Sequence, residues 1–134
     1  MHIVRTHSIL SAWRGFAIAM VLSLVATLTA YPARSAELVM FESATCSWCA
    51  RWHQEIGPVY PNTSEARCAP LRRVDINTPR PDDLKDIDRI VFTPTFVLVH
   101  DGVEISRMVG YPGEDFFWPL LADHLVKLPQ GCPN

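Results

Sequence analysis

The first 36 residues contain no acidic side chain: all 14 Asp and Glu lie from Glu37 onward, whereas Arg5, Arg14 and Arg34 lie before it. From Glu37 onward the charge is therefore −5, against −2 for the whole chain. A mildly acidic domain has no electrostatic reason to hold nucleic acid or anionic lipid, and Arg72-Arg73 is too short to make a basic patch. Internal repeats and low-complexity tracts are missing, and the composition, 49% hydrophobic and 19% charged, excludes a disordered or collagen-like chain. A second Cys-x-x-Cys or a His pair, the other half of a structural zinc site, is also missing. Residue 50 is Ala rather than His, which excludes covalent haem attachment. No twin-Arg pair is present, so general secretion is the simpler export route.

What is present begins with a leader pattern. Met1 to Arg14 is polar and positive, Gly15 to Ala30 is apolar and uncharged, and the small residues Ala33, Ser35 and Ala36 follow. A basic segment, an apolar segment and a small-residue site are the layout of a secretory signal. The apolar run of 16 residues falls short of the ~20 that span a bilayer. The expected organisation is a signal peptide over 1–36 and one domain over 37–134, with a retained inner-membrane anchor as second choice. Export by this route places the four cysteines, Cys46, Cys49, Cys68 and Cys132, in an oxidising compartment where disulfides persist.

Glu37 to Glu42 reads as a short buried strand, and Ser43 to Thr45 as the turn after it. Cys49, Trp52, His53 and Ile56 then fall at i, i+3, i+4 and i+7, one face of a helix that Gly57-Pro58 ends. Pro61 to Pro70 is a loop with a helical turn near Ser64 to Arg67, and Leu71 to Ile76 is a second strand. Pro81-Asp82-Asp83 opens a predicted helix over Pro81 to Arg89. Thr95 to His100 and Val103 to Val109 flank Asp101-Gly102, a two-residue hairpin signal. Glu114 to Leu128 has helical spacing, with Pro119 removing one backbone donor. The order β-α-β-α-β-β-α predicts an α/β domain: a four-stranded mixed sheet with helices on both faces.

The Cys-x-x-Cys lies where the first strand hands over to the first helix. A thiolate is the species that attacks a disulfide, and a helix N-terminus favours the negative sulfur. Cys46 is expected there and exposed. Cys49, one turn on, faces the core. Cys46 therefore attacks and forms a mixed disulfide, and Cys49 resolves it. A bridge across so small a loop removes little unfolded-state entropy, so it would be a poor staple. No metal and no cofactor beyond this dithiol is expected. Trp48 is expected to be an exposed contact residue beside the pair.

Val91-Phe-Thr-Pro-Thr95 enters the hairpin about 45 residues after Cys49. A strand, a Cys-x-x-Cys opening a helix, and such a Thr-Pro-Thr together resemble the thioredoxin superfamily over Glu37 to Leu128. The segments around Cys46 and Pro70-Leu-Arg-Arg-Val-Asp-Ile76 are similar to exported bacterial thioredoxins of the SoxS type, encoded with sulfur-oxidation systems. The resemblance implies a cis Pro94 lying against the cysteines, with the Thr93 backbone presented to a substrate strand. It also implies a periplasmic, monomeric thiol reductant. Its electrons would come from a membrane thiol transporter and go to a cysteine-bearing partner, such as the sulfur-carrier protein.

Two departures stand out. Met40 occupies the place of the buried Asp of cytoplasmic thioredoxins. Glu42 and His53 are candidates to replace it, although the plainer expectation is a solvated strand-end carboxylate and a helix-face packing residue. Ser47-Trp48 replaces the usual middle dipeptides, so a reduction potential does not carry over. In a thioredoxin-like layout Cys68 and Cys132 come to the end of the sheet far from Cys46, and a bridge between them would tie down the C-terminal tail; free thiols are the alternative. Competing functions are a disulfide oxidant or isomerase, and a redox-sensing or metal-binding regulatory module.

Overall fold

The computed structural model describes residues 36–129 and 131–132. The expected leader, apart from Ala36, lies outside the described residues. Strand β1 (Glu37–Glu42) is followed by helix α1 (Ser47–Glu55), a 3₁₀ turn (Tyr60–Asn62) and helix α2 (Ser64–Cys68). Strand β2 (Leu71–Asp75), a second 3₁₀ turn (Asp82–Leu84), strands β3 (Thr95–His100) and β4 (Val103–Val109), and helix α3 (Glu114–Leu125) complete the domain.

The expected four-stranded mixed sheet is present, in the order β2-β1-β3-β4. β1 pairs parallel with β2 and antiparallel with β3, and β3 pairs antiparallel with β4. β1 is central because Leu38, Val39, Met40 and Phe41 are all buried, so neither of its faces meets water. Alternation then assigns each side chain to a layer. Leu38, Met40, Phe96 and Leu98 pack with Trp52 and Ile56 of the α1 segment and with Phe117, Leu121 and Leu125 of α3. Val39, Phe41, Val97 and Val99 face the other way, against Leu84 and Ile87.

That second layer corrects one expectation. The helix predicted over Pro81 to Arg89 is a single 3₁₀ turn, so α1 and α3 share one face and the other is covered by a short irregular segment. The bonds there run from Leu84 N–H to Pro81 O, Lys85 N–H to Asp82 O and Ile87 N–H to Leu84 O, each spanning three residues. Leu84 and Ile87 are spaced by three, which suits the tighter turn and puts both on the sheet. The last helix stops at Leu125 rather than Leu128, and Pro119 lies inside it.

The turns obey local chemistry. Asp101 (φ 53°) and Gly102 (φ 77°) both take positive φ, as a tight hairpin demands. A register shift between Leu98 and Val99 marks an irregularity in the β3–β4 ladder. Beyond α1, a Cβ on Gly57 would stand 2.8 Å from the His53 carbonyl oxygen, so only glycine fits this close approach.

Candidate active site

Cys46 is the N-cap of α1. Its backbone is extended (φ −82°, ψ 106°), and its sulfur accepts the Cys49 backbone N–H at 3.0 Å. Its own N–H donates to Ser43 O, and its carbonyl accepts from Ala50 N–H. The strand end, the Ser43–Thr45 turn and the first helical turn thus fix one sulfur over free helix donors, where negative charge is favoured. No acidic residue lies in that first turn to oppose it.

Cys46 and Cys49 are disulfide-bonded, with Cα atoms 5.2 Å apart. Their environments differ. Cys46 is half-buried, whereas Cys49 is 2% exposed and belongs to the core layer with Trp52 and Met40. A sulfur reachable from solvent next to one that is shielded can exchange disulfides with a partner in an ordered sequence.

Trp48 is 51% exposed beside Cys46. The Arg51 guanidinium lies over its ring, 5.6 Å from the centroid, and pairs at 2.8 Å with Glu55. The Thr93–Pro94 peptide bond is cis. Pro94 directly precedes β3, whose Thr95 pairs with Phe41 near the end of β1, so it shares the sheet end from which Cys46 emerges. Its carbonyl accepts Gly110 N–H at 2.8 Å, and Thr95 Oγ1 donates to Phe92 O at 2.7 Å. Val91, Phe92 and Val109 are exposed there, giving an apolar rim.

Glu42 and His53 are not the separate side chains that the plainer sequence expectation describes. Glu42 Oε2 lies 2.5 Å from His53 Nε2, and Glu42 Oε1 accepts from Arg73 Nε at 2.6 Å. Glu42 keeps only 13% of its side chain exposed. These three residues, Asp75 and both cysteines line one cleft of about 230 Å³ at the foot of α1. Arg73 gave no signal in the sequence as a site residue; the β1–β2 pairing sets it opposite Met40, from where its side chain reaches Glu42.

Cys68 and Cys132 are bonded, with Cα atoms 4.9 Å apart. Cys68 precedes β2 and Cys46 follows β1, so in this parallel pair the two bridges lie at opposite ends. Among the described residues no cluster of three or more His, Cys, Asp or Glu is arranged to hold a metal ion.

Comparison with known proteins places this geometry. A family model described as a thioredoxin-like domain matches residues 29–125. The crystal structure of the reduced periplasmic thioredoxin SoxS from Paracoccus pantotrophus is 48% identical, with 69% of this chain and 98% of that one covered and a TM-score of 0.66. A thioredoxin of Malassezia sympodialis, the allergen Mala s 13, is 21% identical over 69% of this chain and 76% of its own, with a TM-score of 0.51, a likeness of fold alone. No curated protein sequence matches the chain.

Proposed function

Because this chain belongs to the thioredoxin-like family and is a thiol–disulfide oxidoreductase, we propose that it acts in the periplasm as a reductant of cysteines in a partner protein. The observation that carries this reading is the asymmetry of the pair: Cys46 caps α1 and is accessible, and Cys49 is buried beneath it. In the reduced protein the Cys46 thiolate attacks a partner disulfide. A Cys46–partner bond forms and the partner's first sulfur leaves. Cys49 then attacks Cys46, forming the intramolecular disulfide and releasing the second partner sulfur as a thiol. Trp48 follows Cys46 in the first turn of α1 and Thr93-Pro94 enters β3 at the same sheet end, which supports a substrate-binding role for these three residues. The apolar rim of Val91, Phe92 and Val109 suits a polypeptide substrate more than a small thiol.

The leader pattern over 1–36 and the periplasmic relative support export of a domain over 37–134. A cysteine-bearing partner, such as the sulfur carrier of a sulfur-oxidation system, fits the SoxS likeness. A membrane thiol transporter fits as electron donor. Cys68–Cys132 serves as a structural bridge at the opposite end.

The test is the equilibrium reduction potential of the Cys46–Cys49 couple, combined with a Cys49→Ser trap in periplasmic extract. A potential near ~−270 mV and covalent partner adducts on Cys46 are expected; a potential near ~−120 mV would make the protein an oxidant instead.

A further inference from the structure

Resolution of the mixed disulfide requires Cys49 to lose its proton, yet Cys49 is 2% exposed in an apolar layer. Burial of this kind opposes the thiolate. The buried β1 residues that face this layer, Leu38 and Met40, carry no basic group. A base must therefore be reached from the cleft, where the charged or titratable side chains besides the cysteines are Glu42, His53, Arg73 and Asp75. Arg73 carries no lone pair for a proton. Asp75 Oδ1 already accepts from both Asn77 N–H and Asn77 Nδ2 within its own turn.

His53 stands one helical turn beyond Cys49 and lines the same cleft. Its Nε2 faces Glu42 Oε2, and Arg73 fixes the other carboxylate oxygen. A carboxylate has no proton to give, so Nε2 carries the hydrogen and Nδ1 is left as the basic nitrogen. This is the general arrangement by which a carboxylate sets a histidine's tautomer and orientation for proton acceptance. The cleft, at about 230 Å³, has room for solvent to carry a proton between the thiol and the ring.

Building on the reading that Cys49 resolves a mixed disulfide, we propose that His53, oriented by Glu42 and Arg73, accepts the Cys49 thiol proton in that step. The Cys49 S–H bond breaks and its proton passes to His53. The Cys49 sulfur bonds to Cys46 as the Cys46–partner bond breaks, and the partner sulfur leaves with the electron pair. The proton then returns from His53 to the departing thiolate. Glu42 and Arg73 are positioning residues that act through the ring.

Stopped-flow reaction of the reduced protein with 5,5′-dithiobis(2-nitrobenzoate) separates the steps. Attack by Cys46 releases one nitrothiobenzoate, and resolution by Cys49 releases the second. His53→Gln is expected to leave the first release within about twofold and to slow the second by roughly 10- to 100-fold. It is also expected to flatten the dependence of the second rate on pH, a change that loss of packing alone would not produce. Glu42→Gln, which keeps the volume, is expected to slow the second release by roughly 3- to 10-fold, so the inference does not hang on one variant. A second release in His53→Gln with the wild-type rate and pH profile overturns the inference while leaving the dithiol mechanism intact. A wild-type protein with no second release overturns the dithiol reading, and this inference with it.

Discussion

The Tyr111 hydroxyl donates to Glu55 Oε2 across 2.7 Å, joining the last turn of α1 to the chain that leaves β4. Glu55 Oε1 accepts from Arg51, whose guanidinium covers Trp48, so one line of contacts runs from behind the helix to its exposed rim. The Tyr111 hydroxyl, and after it Arg51, holds the Glu55 carboxyl below its ordinary 4.5. A carboxyl depressed by folding adds stability that is fully present above its unfolded value and lost as pH falls through its folded value. Tyr111→Phe removes the larger cause. Its urea midpoint should lie below wild type at pH 7, and the gap should close in acid as pH falls through the lowered Glu55 value. A gap that persists undiminished in acid would assign the effect to ring packing.

Phe117 is fully buried, with Trp52, Phe96, Tyr111 and Trp118 rings 5.3–6.0 Å away. Its neighbour Phe116 is 65% exposed. Phe117→Ala should cost about 3–5 kcal/mol, a large fraction of the stability of a small domain. Phe116→Ala should change stability by less than about 0.5 kcal/mol. Paired denaturant titrations check both, and equal losses would contradict the layer assignment.

The Cys68–Cys132 bridge spans a sequence separation of 64 residues. Closing so long a loop stabilises by about 4 kcal/mol in the chain-entropy view. Cys132→Ser should lower the unfolding midpoint strongly, yet leave the rate of Cys46 alkylation in the reduced protein unchanged, because the bridges lie at opposite sheet ends. A changed alkylation rate would reveal coupling between the two ends.

Gly102 sits at φ 77° in the hairpin turn. Gly102→Ala should destabilise by about 1 kcal/mol, because alanine resists this backbone region. Thermal unfolding of the variant reads the loss directly; a stabilised variant would show that the turn adopts another conformation.

Much of this arrangement was legible in the residues because it depends on local chemistry. The four buried residues of β1 form one apolar run, Asp101-Gly102 marks the β3–β4 turn, and the cysteine spacing sets one sulfur at a cap and the next in the core. Where long-range geometry decides, the sequence is ambiguous. Pro81-Asp-Asp reads equally well as the opening of a long helix or of one 3₁₀ turn. The outcome is set by Leu84 and Ile87 having to cover the face of Val39 and Phe41, while Arg72 pairs with Asp83. Glu42 and His53 could be named as candidates from the sequence, but their union with Arg73 was hidden. Its members come from two strands and a helix, and only the parallel register that sets Met40 beside Arg73 and Glu42 beside Asp75 brings them together.

The strand order has a consequence for the protein in concentrated solution. β2 and β4 are the outer strands, and each presents backbone groups open to pairing with another chain. Both are guarded by charge. Arg72 of β2 is tied to Glu37 and Asp83, and Arg73 to Glu42. On β4, Arg107 is clasped to Glu104 and also donates to the Arg89 carbonyl. A foreign strand arriving at either border would have to strip water and partners from these ions. The sheet thus discourages its own aggregation at both margins.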